Sequence, residues 1–283
     1  MVTLKGPIDR GDGKLVLELG STRLTVTPEH GGRITSLRYA EQELLTSTGA
    51  ANFEDAFGST FWPSPQRWEW PPPPELDTEP YEVTIDPAGS ITLVSKPHEG
   101  TQLRVTKTLR ADLTREALEL TYAMTNIGSE PVSWAPWEIT RMPADGLAFW
   151  PSGGAPFGDK PLAFQDAHGH TWCRPSATEG EGKLFADGGA GGYLAYALGQ
   201  YILIKQFTDL PASQAAPGEA EVEIYVNEHH DYAEIENQGA YVAIAPGATT
   251  AWKVVWYVRA LPSGTSAAEP HADLVAFVTR TLQ

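Results

Sequence analysis

The sequence predicts an all-β protein, a sandwich or barrel of antiparallel sheets with one short helix at its C-terminal end. Three observations carry that expectation. Short runs with period-two alternation or β-branched residues recur along the 283-residue chain, roughly fourteen of them by pattern. Glycine, proline and asparagine punctuate the runs at Gly11-Asp-Gly13, Pro87-Ala-Gly89, Asn126-Ile-Gly128, Pro217-Gly218 and Pro246-Gly247. No helical pattern alternates with them, which argues against a βαβ architecture.

In chain order the predicted strands are Lys14–Leu19, Arg23–Thr27, Arg33–Tyr39, Tyr81–Ile85, Ile91–Ser95, Gln102–Leu109 and Ala117–Asn126. Val132–Arg141, Tyr193–Leu198, Tyr201–Phe207, Glu221–Val226, Ala233–Asn237, Tyr241–Ile244 and Thr250–Arg259 complete the series. The helix is predicted where Leu274, Val275, Val278 and Leu282 follow a helical spacing behind Pro270. Two segments read as long loops. The first, Asn52–Glu79, carries Phe61-Trp-Pro-Ser-Pro-Gln-Arg-Trp-Glu-Trp-Pro-Pro-Pro-Pro74, and its prolines lack amide donors for a ladder or helix. The second, Trp150–Asp187, is rich in Gly and Pro and contains His168-Gly-His170. Long loops of this kind often carry function. Composition does not break anywhere along the chain, so residues 1–283 are expected to form a single domain.

Apolar residues make up 41% of the chain, with nine Trp, ten Tyr and nine Phe, enough for a substantial core. A formal charge of -16 argues against nucleic acid and anionic membrane partners, since like charges repel. No run of apolar residues reaches membrane-spanning length. The start, Met1-Val-Thr-Leu-Lys-Gly-Pro7, has no apolar signal core, which predicts a cytoplasmic chain. A single Cys173 excludes an internal disulfide framework, and no His or Cys spacing suggests a metal. Neither cofactor nor metal is expected.

The most suggestive stretch is Tyr232-Ala-Glu-Ile-Glu-Asn-Gln238. In an extended chain Tyr232, Glu234, Glu236 and Gln238 project from one face while Ala233 and Ile235 turn to the core. A phenol, two carboxylates and an amide suit a polyhydroxyl ligand or a general base. A solvent-facing strand would carry the same pattern. Trp62, Trp68 and Trp70 crowd into the first long loop, where indoles either stack on sugar C–H faces or pin the loop to its sheet. Within Pro131-Val-Ser-Trp-Ala-Pro-Trp-Glu-Ile-Thr-Arg141, Glu138 and Thr140 face one way, and Trp137, Ile139 and Arg141 the other. Pro136 there marks an edge or a bulge. Lys205 sits in the apolar run Tyr201-Ile-Leu-Ile-Lys-Gln-Phe207, either snorkelling at a rim or pointing into a polar cleft. His229 and His230 approach the carboxylate strand, and only one of them could join its face.

The order of motifs resembles galactose mutarotase-like proteins. Pro28-Glu-His-Gly-Gly-Arg-Ile-Thr-Ser-Leu-Arg-Tyr-Ala-Glu-Gln-Glu-Leu-Leu45 is similar to their N-terminal hairpin. Tyr122-Ala-Met-Thr-Asn-Ile-Gly-Ser-Glu-Pro-Val132 is similar to their strand, Asn, turn and Pro-Val passage. Glu236-Asn-Gln238 resembles the Glu-x-Gln of aldose 1-epimerases, whose glutamate is the general base. Phe61-Trp-Pro-Ser-Pro-Gln66, Trp137-Glu-Ile-Thr-Arg141 and Glu234-Ile-Glu-Asn-Gln-Gly239 resemble an uncharacterised bacterial mutarotase-like family more closely. The resemblance implies a β-supersandwich with a carbohydrate cleft on its concave sheet and Glu236 in that cleft. It also exposes a departure, because Trp134-Ala-Pro-Trp-Glu138 contains no histidine where an epimerase keeps its acid. Glu138, His229 or His230 would have to replace it.

Three functions stay open at this point. The chain is a sugar or sugar-acid epimerase with Glu236 as base and Glu138 or a histidine as acid. Alternatively it is a non-catalytic carbohydrate binder, with Trp62, Trp68, Trp70 and Trp137 for stacking and Arg33, Gln66, Lys205 and Gln238 for polar contacts. Otherwise it is an interaction module that presents the Trp-Pro loop. The expected partner is a small-molecule or oligosaccharide ligand, and Arg33, Arg141 and Lys205 would suit an anionic sugar if they converge. Convergence of Glu236, Glu138 and the tryptophans would discriminate among the three.

Overall fold

Alternating burial governs the observed strands. Thr22–Thr27, for example, buries Thr22, Leu24 and Val26 and leaves Arg23, Thr25 and Thr27 only partly covered. The computed structural model describes residues 4–9, 13–47, 55–158 and 160–283. Its strands form two antiparallel sheets of eleven and ten strands.

The larger sheet runs in the spatial order β1 (Leu4–Asp9), β2 (Leu15–Leu19), β3 (Thr22–Thr27), β4 (Arg33–Tyr39) and β6 (Ser59–Ser64). It continues through β11 (Val132–Met142), β19 (Ala233–Gln238), β18 (Val222–Val226) and β15 (Gly182–Ala186). Two short strands, β5 (Gln42–Glu43) and β20 (Val242–Ile244), pair with β4 and β11. The second sheet begins with β13 (Phe164–Ala167), β14 (His170–Cys173), β12 (Leu147–Pro151), β16 (Tyr193–Leu198) and β17 (Tyr201–Gln206). It ends with β21 (Thr249–Ala260), β10 (Ala117–Asn126), β9 (Leu103–Asp112), β8 (Ile91–Val94) and β7 (Glu82–Ile85). Between the sheets lies one large core that includes Leu24, Phe61, Tyr122, Ile224, Ile235 and Trp256. A second core fills the space between the outer face of the ten-stranded sheet and helix α2 (Ala272–Leu282), which buries Leu274 and Val278. Full burial of each such side chain is worth about 1.5–3 kcal/mol.

Three expectations are corrected. The Asn52–Glu79 segment is not a continuous loop: Phe61-Trp-Pro-Ser64 lies in the central strand β6, and Pro74–Asp77 forms a one-turn helix, α1. Asn52 itself lies outside the described residues. Pro136 likewise stands in a central strand, with pairing that runs without a slip from Ala135–Ser64 to Thr140–Ser59. The two prolines explain one another. Pro63 and Pro136 are directly opposed, and residues without amide protons can only form a non-hydrogen-bonded pair. Their missing donors face away from the pair, where the ladders have ended: β4 meets β6 only at Ile34–Ser59, and β19 reaches β11 at Trp137–Gln238. The Trp150–Asp187 segment also holds β13, β14 and β15. His168-Gly169 is the two-residue turn of the β13–β14 hairpin, and both residues adopt positive φ.

Gly31 has a conformational reason to be glycine. Its φ is +64°, and a Cβ there would lie 1.8 Å from the Asp77 carbonyl oxygen. Gly31→Ala is expected to cost more than about 1 kcal/mol and to displace α1. An unchanged melting temperature in thermal unfolding of that variant would contradict this close approach.

Candidate functional site

Strand β19 sends Ala233 and Ile235 into the core and Glu234, Glu236 and Gln238 to the outer face of the larger sheet. On that face Glu236 lies opposite Ile139 of β11 and opposite Glu223 of β18. Like charges opposed across a ladder repel, and both carboxyls are fully buried. Lys183 of β15 answers them. Its Nζ lies 2.7 Å from Glu223 Oε2 and 3.2 Å from Glu236 Oε2, and it sits 4.9 Å from the centre of the Trp137 ring. Trp137 Nε1 donates to Glu236 Oε2 at 2.6 Å, and Gln238 Nε2 donates to Glu223 Oε1 at 2.5 Å. Glu236 Oε1 and Gln238 Oε1 are buried without a hydrogen-bond partner.

Burial dominates the electrostatics here. Desolvation pushes Glu236 up to about 8 and Glu223 up to about 7, although Lys183 pulls both down. For Lys183 burial acts downward, yet the two carboxylates hold the ammonium well above its ordinary value. Near neutral pH the two carboxyls form a coupled pair poised to hold or release a proton.

The tryptophans meet the carboxyls on the same face. Trp62 of β6 pairs with Trp137 across the ladder, their rings 5.4 Å apart edge to face. Trp62 also stands 5.5 Å from Trp68 and 5.9 Å from Trp70. Asp77 on α1 fixes this hub by accepting from Trp62 Nε1 at 2.9 Å and from Thr60 Oγ1 at 2.6 Å. Its other oxygen pairs with Arg33 at 2.9 Å. Burial raises the Asp77 carboxyl, but Arg33, Thr60 and Trp62 outweigh it and hold it below its ordinary value. Trp62 and Trp137 are buried, Trp68 is partly buried, and Trp70 is 52% exposed. The outermost rings are therefore the ones a ligand can reach.

Glu138 and Lys205 do not belong to this site. Both face the core between the sheets, where Lys205 Nζ lies 2.8 Å from Glu138 Oε2 and donates to the Ile235 carbonyl at 2.9 Å. Tyr122 donates its hydroxyl to Glu138 Oε1 at 2.6 Å, and Trp256 Nε1 donates to Oε2 at 3.3 Å. A strand residue next to Trp137 has to point the opposite way, which is why Glu138 cannot meet Glu236.

Arg141 and Glu234 do reach the site face, but as an ion pair at 2.8 Å beside Trp62. Arg33 is fully buried against Asp77. Tyr232 is buried beside Tyr225 just before β19. Gln66 and His229 are exposed, the latter in the β18–β19 turn, and His230 Nε2 contacts the Gly180 carbonyl at 3.1 Å. Sequence reasoning missed Glu223, Lys183 and Asp77. Glu223 carries the same period-two signal as Glu236, alternating with Val222, Ile224 and Val226. Among the described residues one carboxylate trio, Asp187, Asp209 and Glu221, has its oxygens within 4.8 Å of one another. Glu221 already accepts from the Gly188 and Leu210 amides, which makes it an anchor for two loops.

An antiparallel β-supersandwich with an aromatic and carboxylate face on its larger sheet defines the class of fold. Solved structures align over most of the chain. A galactose mutarotase-like protein from Lactobacillus casei ATCC 334 has a TM-score of 0.63 and 12% identity over 87% of this chain and 100% of that one. Another from Clostridium acetobutylicum has a TM-score of 0.55 and 11% identity over 92% and 99%. A galactose 1-epimerase from Lactobacillus acidophilus NCFM has a TM-score of 0.55 and 11% identity over 93% and 100%. The chain thus has the galactose mutarotase-like fold. No family model and no curated protein matches it. Among the described residues no helix is long and apolar enough to cross a membrane.

Proposed function

We propose that this chain binds a sugar against the tryptophan face of its larger sheet. One observation carries the reading: Trp137 joins the four-indole cluster to the buried carboxyls through its hydrogen bond to Glu236. Stacking area lies on that surface with the carboxyls held directly beneath it, an aromatic and polar combination that suits carbohydrate recognition. A neutral sugar is favoured over a sugar acid. Arg33, Arg141 and Lys205 each face a carboxylate, and Lys183 faces two. None of these four cations is left uncompensated to hold an anion.

A second reading, hemiacetal opening, is favoured by the raised Glu223 and Glu236 carboxyls. Ring opening takes the proton from the anomeric hydroxyl and gives one to the ring oxygen. Glu236 and Glu223 share a proton in this reading, so one carboxyl of the pair serves as base and the other as acid, and Glu138 takes no part. Both carboxyls lie beneath Trp137 and Lys183, so catalysis requires the Lys183 side chain, 27% exposed, to move aside. Binding therefore stands first.

A screen of neutral and acidic sugars by thermal shift is expected to raise the melting temperature with neutral sugars, because native-state ligands stabilise. Trp70→Ala is expected to weaken that binding about tenfold or more with little change in the unliganded melting temperature. Preserved affinity in Trp70→Ala would remove the stacking role. Glu236→Gln tests the second reading separately, through the rate of anomer interconversion measured by NMR. An unchanged rate would exclude Glu236 as base.

A further inference from the structure

We propose that the sugar site continues past Trp68 into an adjoining cavity, and that the ligand is a neutral oligosaccharide rather than a single sugar unit. This rests on the binding function proposed for the tryptophan face. The cavity, about 590 Å³, lies between the Trp-Pro loop and the turn that joins β8 to β9. Its volume falls within the range of small-molecule sites, about 300–1,000 Å³.

Trp68 belongs to both places. Its ring packs edge to face on Trp62, 6.4 Å from Trp70, and it also lines the cavity. A chain of sugar units laid along Trp70 and Trp68 is led from the first site into the second. The walls beyond Trp68 are stiff. Pro71, Pro73 and Pro74 present ring faces without amide donors, and Trp134 is fixed by its Nε1 donating to the Thr101 carbonyl at 3.1 Å.

The polar groups there are of both kinds, and two of them, Arg67 and His98, are fixed in place. The Arg67 guanidinium lies 4.9 Å over the Trp134 ring, and its Nη2 donates to the Ser133 carbonyl at 3.0 Å and to the Tyr241 hydroxyl. Held this way, it keeps its remaining N–H groups for other acceptors. His98 Nδ1 accepts from the Thr101 amide at 3.2 Å, so the neutral ring carries its proton on Nε2. That nitrogen is a donor. Glu69 supplies an acceptor on the same lining. One cation, one carboxylate and a neutral imidazole match the mixed hydroxyls of an uncharged sugar. Arg67 and His98, already ordered before binding, lose little entropy on it.

The test is calorimetric titration of the full chain with gluco- and galacto-oligosaccharides from mono- to tetrasaccharide. Affinity is expected to rise about tenfold or more between the monosaccharide and the longer members of at least one series. Arg67→Ala and Glu69→Gln are each expected to remove that gain and leave monosaccharide affinity unchanged. Glu69 is exposed, which keeps the second variant free of folding effects. Monosaccharide binding without a chain-length gain would overturn the extension and leave the first site standing. Binding by neither length would overturn both. A length gain that survives both substitutions would place the extra units elsewhere and also overturn the proposal.

Discussion

Lys205→Met is expected to destabilise the protein by about 3–5 kcal/mol, the usual cost of removing one partner from a buried ion pair. Lys205 and Glu138 are both fully buried between the sheets, 2.8 Å apart. Burial draws the Lys205 ammonium below its ordinary value and Glu138 draws it back up. Without Lys205, the Glu138 carboxylate keeps only the Tyr122 hydroxyl and the Trp256 indole, and the Ile235 carbonyl loses its lysine donor. That carbonyl belongs to β19, so the loss reaches the strand that carries Glu236. In the double variant Lys205→Met with Glu138→Gln, a neutral amide keeps an acceptor for Tyr122 and removes the stranded charge. Its loss is expected to be smaller than that of the single variant, a non-additivity that urea unfolding would measure. A neutral effect of Lys205→Met alone would mean that the pair does not brace the two sheets.

Stability is expected to fall as pH rises from about 5 to about 8. Glu223 and Glu236 titrate near 4.5 in the unfolded chain and near about 7 and about 8 in the fold, raised by burial. Between those values the folded state holds more protons than the unfolded state, so raising the pH favours unfolding. The contribution is complete below about 4.5 and lost above about 8. At roughly 1.4 kcal/mol per pKa unit, each group accounts for at most roughly 3 to 5 kcal/mol, Glu236 for more than Glu223. Coupling through Lys183 makes the two contributions non-additive. Glu236→Gln is expected to flatten the profile, raising the melting temperature at pH 8 and leaving it nearly unchanged at pH 5. Glu221, pushed up to about 8 by burial, should supply part of the remaining slope. Wild-type stability that stays level across this range would show that the buried carboxyls are not raised.

Much of the fold was legible because strand periodicity is local. Arg33–Tyr39, Ala117–Asn126 and Tyr193–Leu198 match their predicted limits, and α2 carries the predicted Leu274, Val275, Val278 and Leu282. The misplaced segments were those where proline suggested a break. Pro63 fits a central strand because it takes a non-hydrogen-bonded position opposite Pro136 and its missing donor faces a side where β4 no longer pairs, a register between positions far apart in the chain. Glu138 failed for a different reason. Its orientation opposite to Trp137 was readable, but every residue from Trp134 to Met142 is buried, so alternation did not reveal which face was the inter-sheet core.

By itself the sequence determined the all-β class, the limits of many strands and the shared face of Glu234, Glu236 and Gln238, since each follows from neighbours within a few residues. Only the tertiary structure decided what that face meets. Cross-strand register set Glu223 beside Glu236, laid Lys183 between them and paired Trp62 with Trp137, while the fold of the Trp-Pro loop brought Trp68 and Trp70 to Trp62. It also sent Lys205 and Glu138 into the core, because partners across a ladder or between sheets are chosen by packing and leave no mark in local pattern.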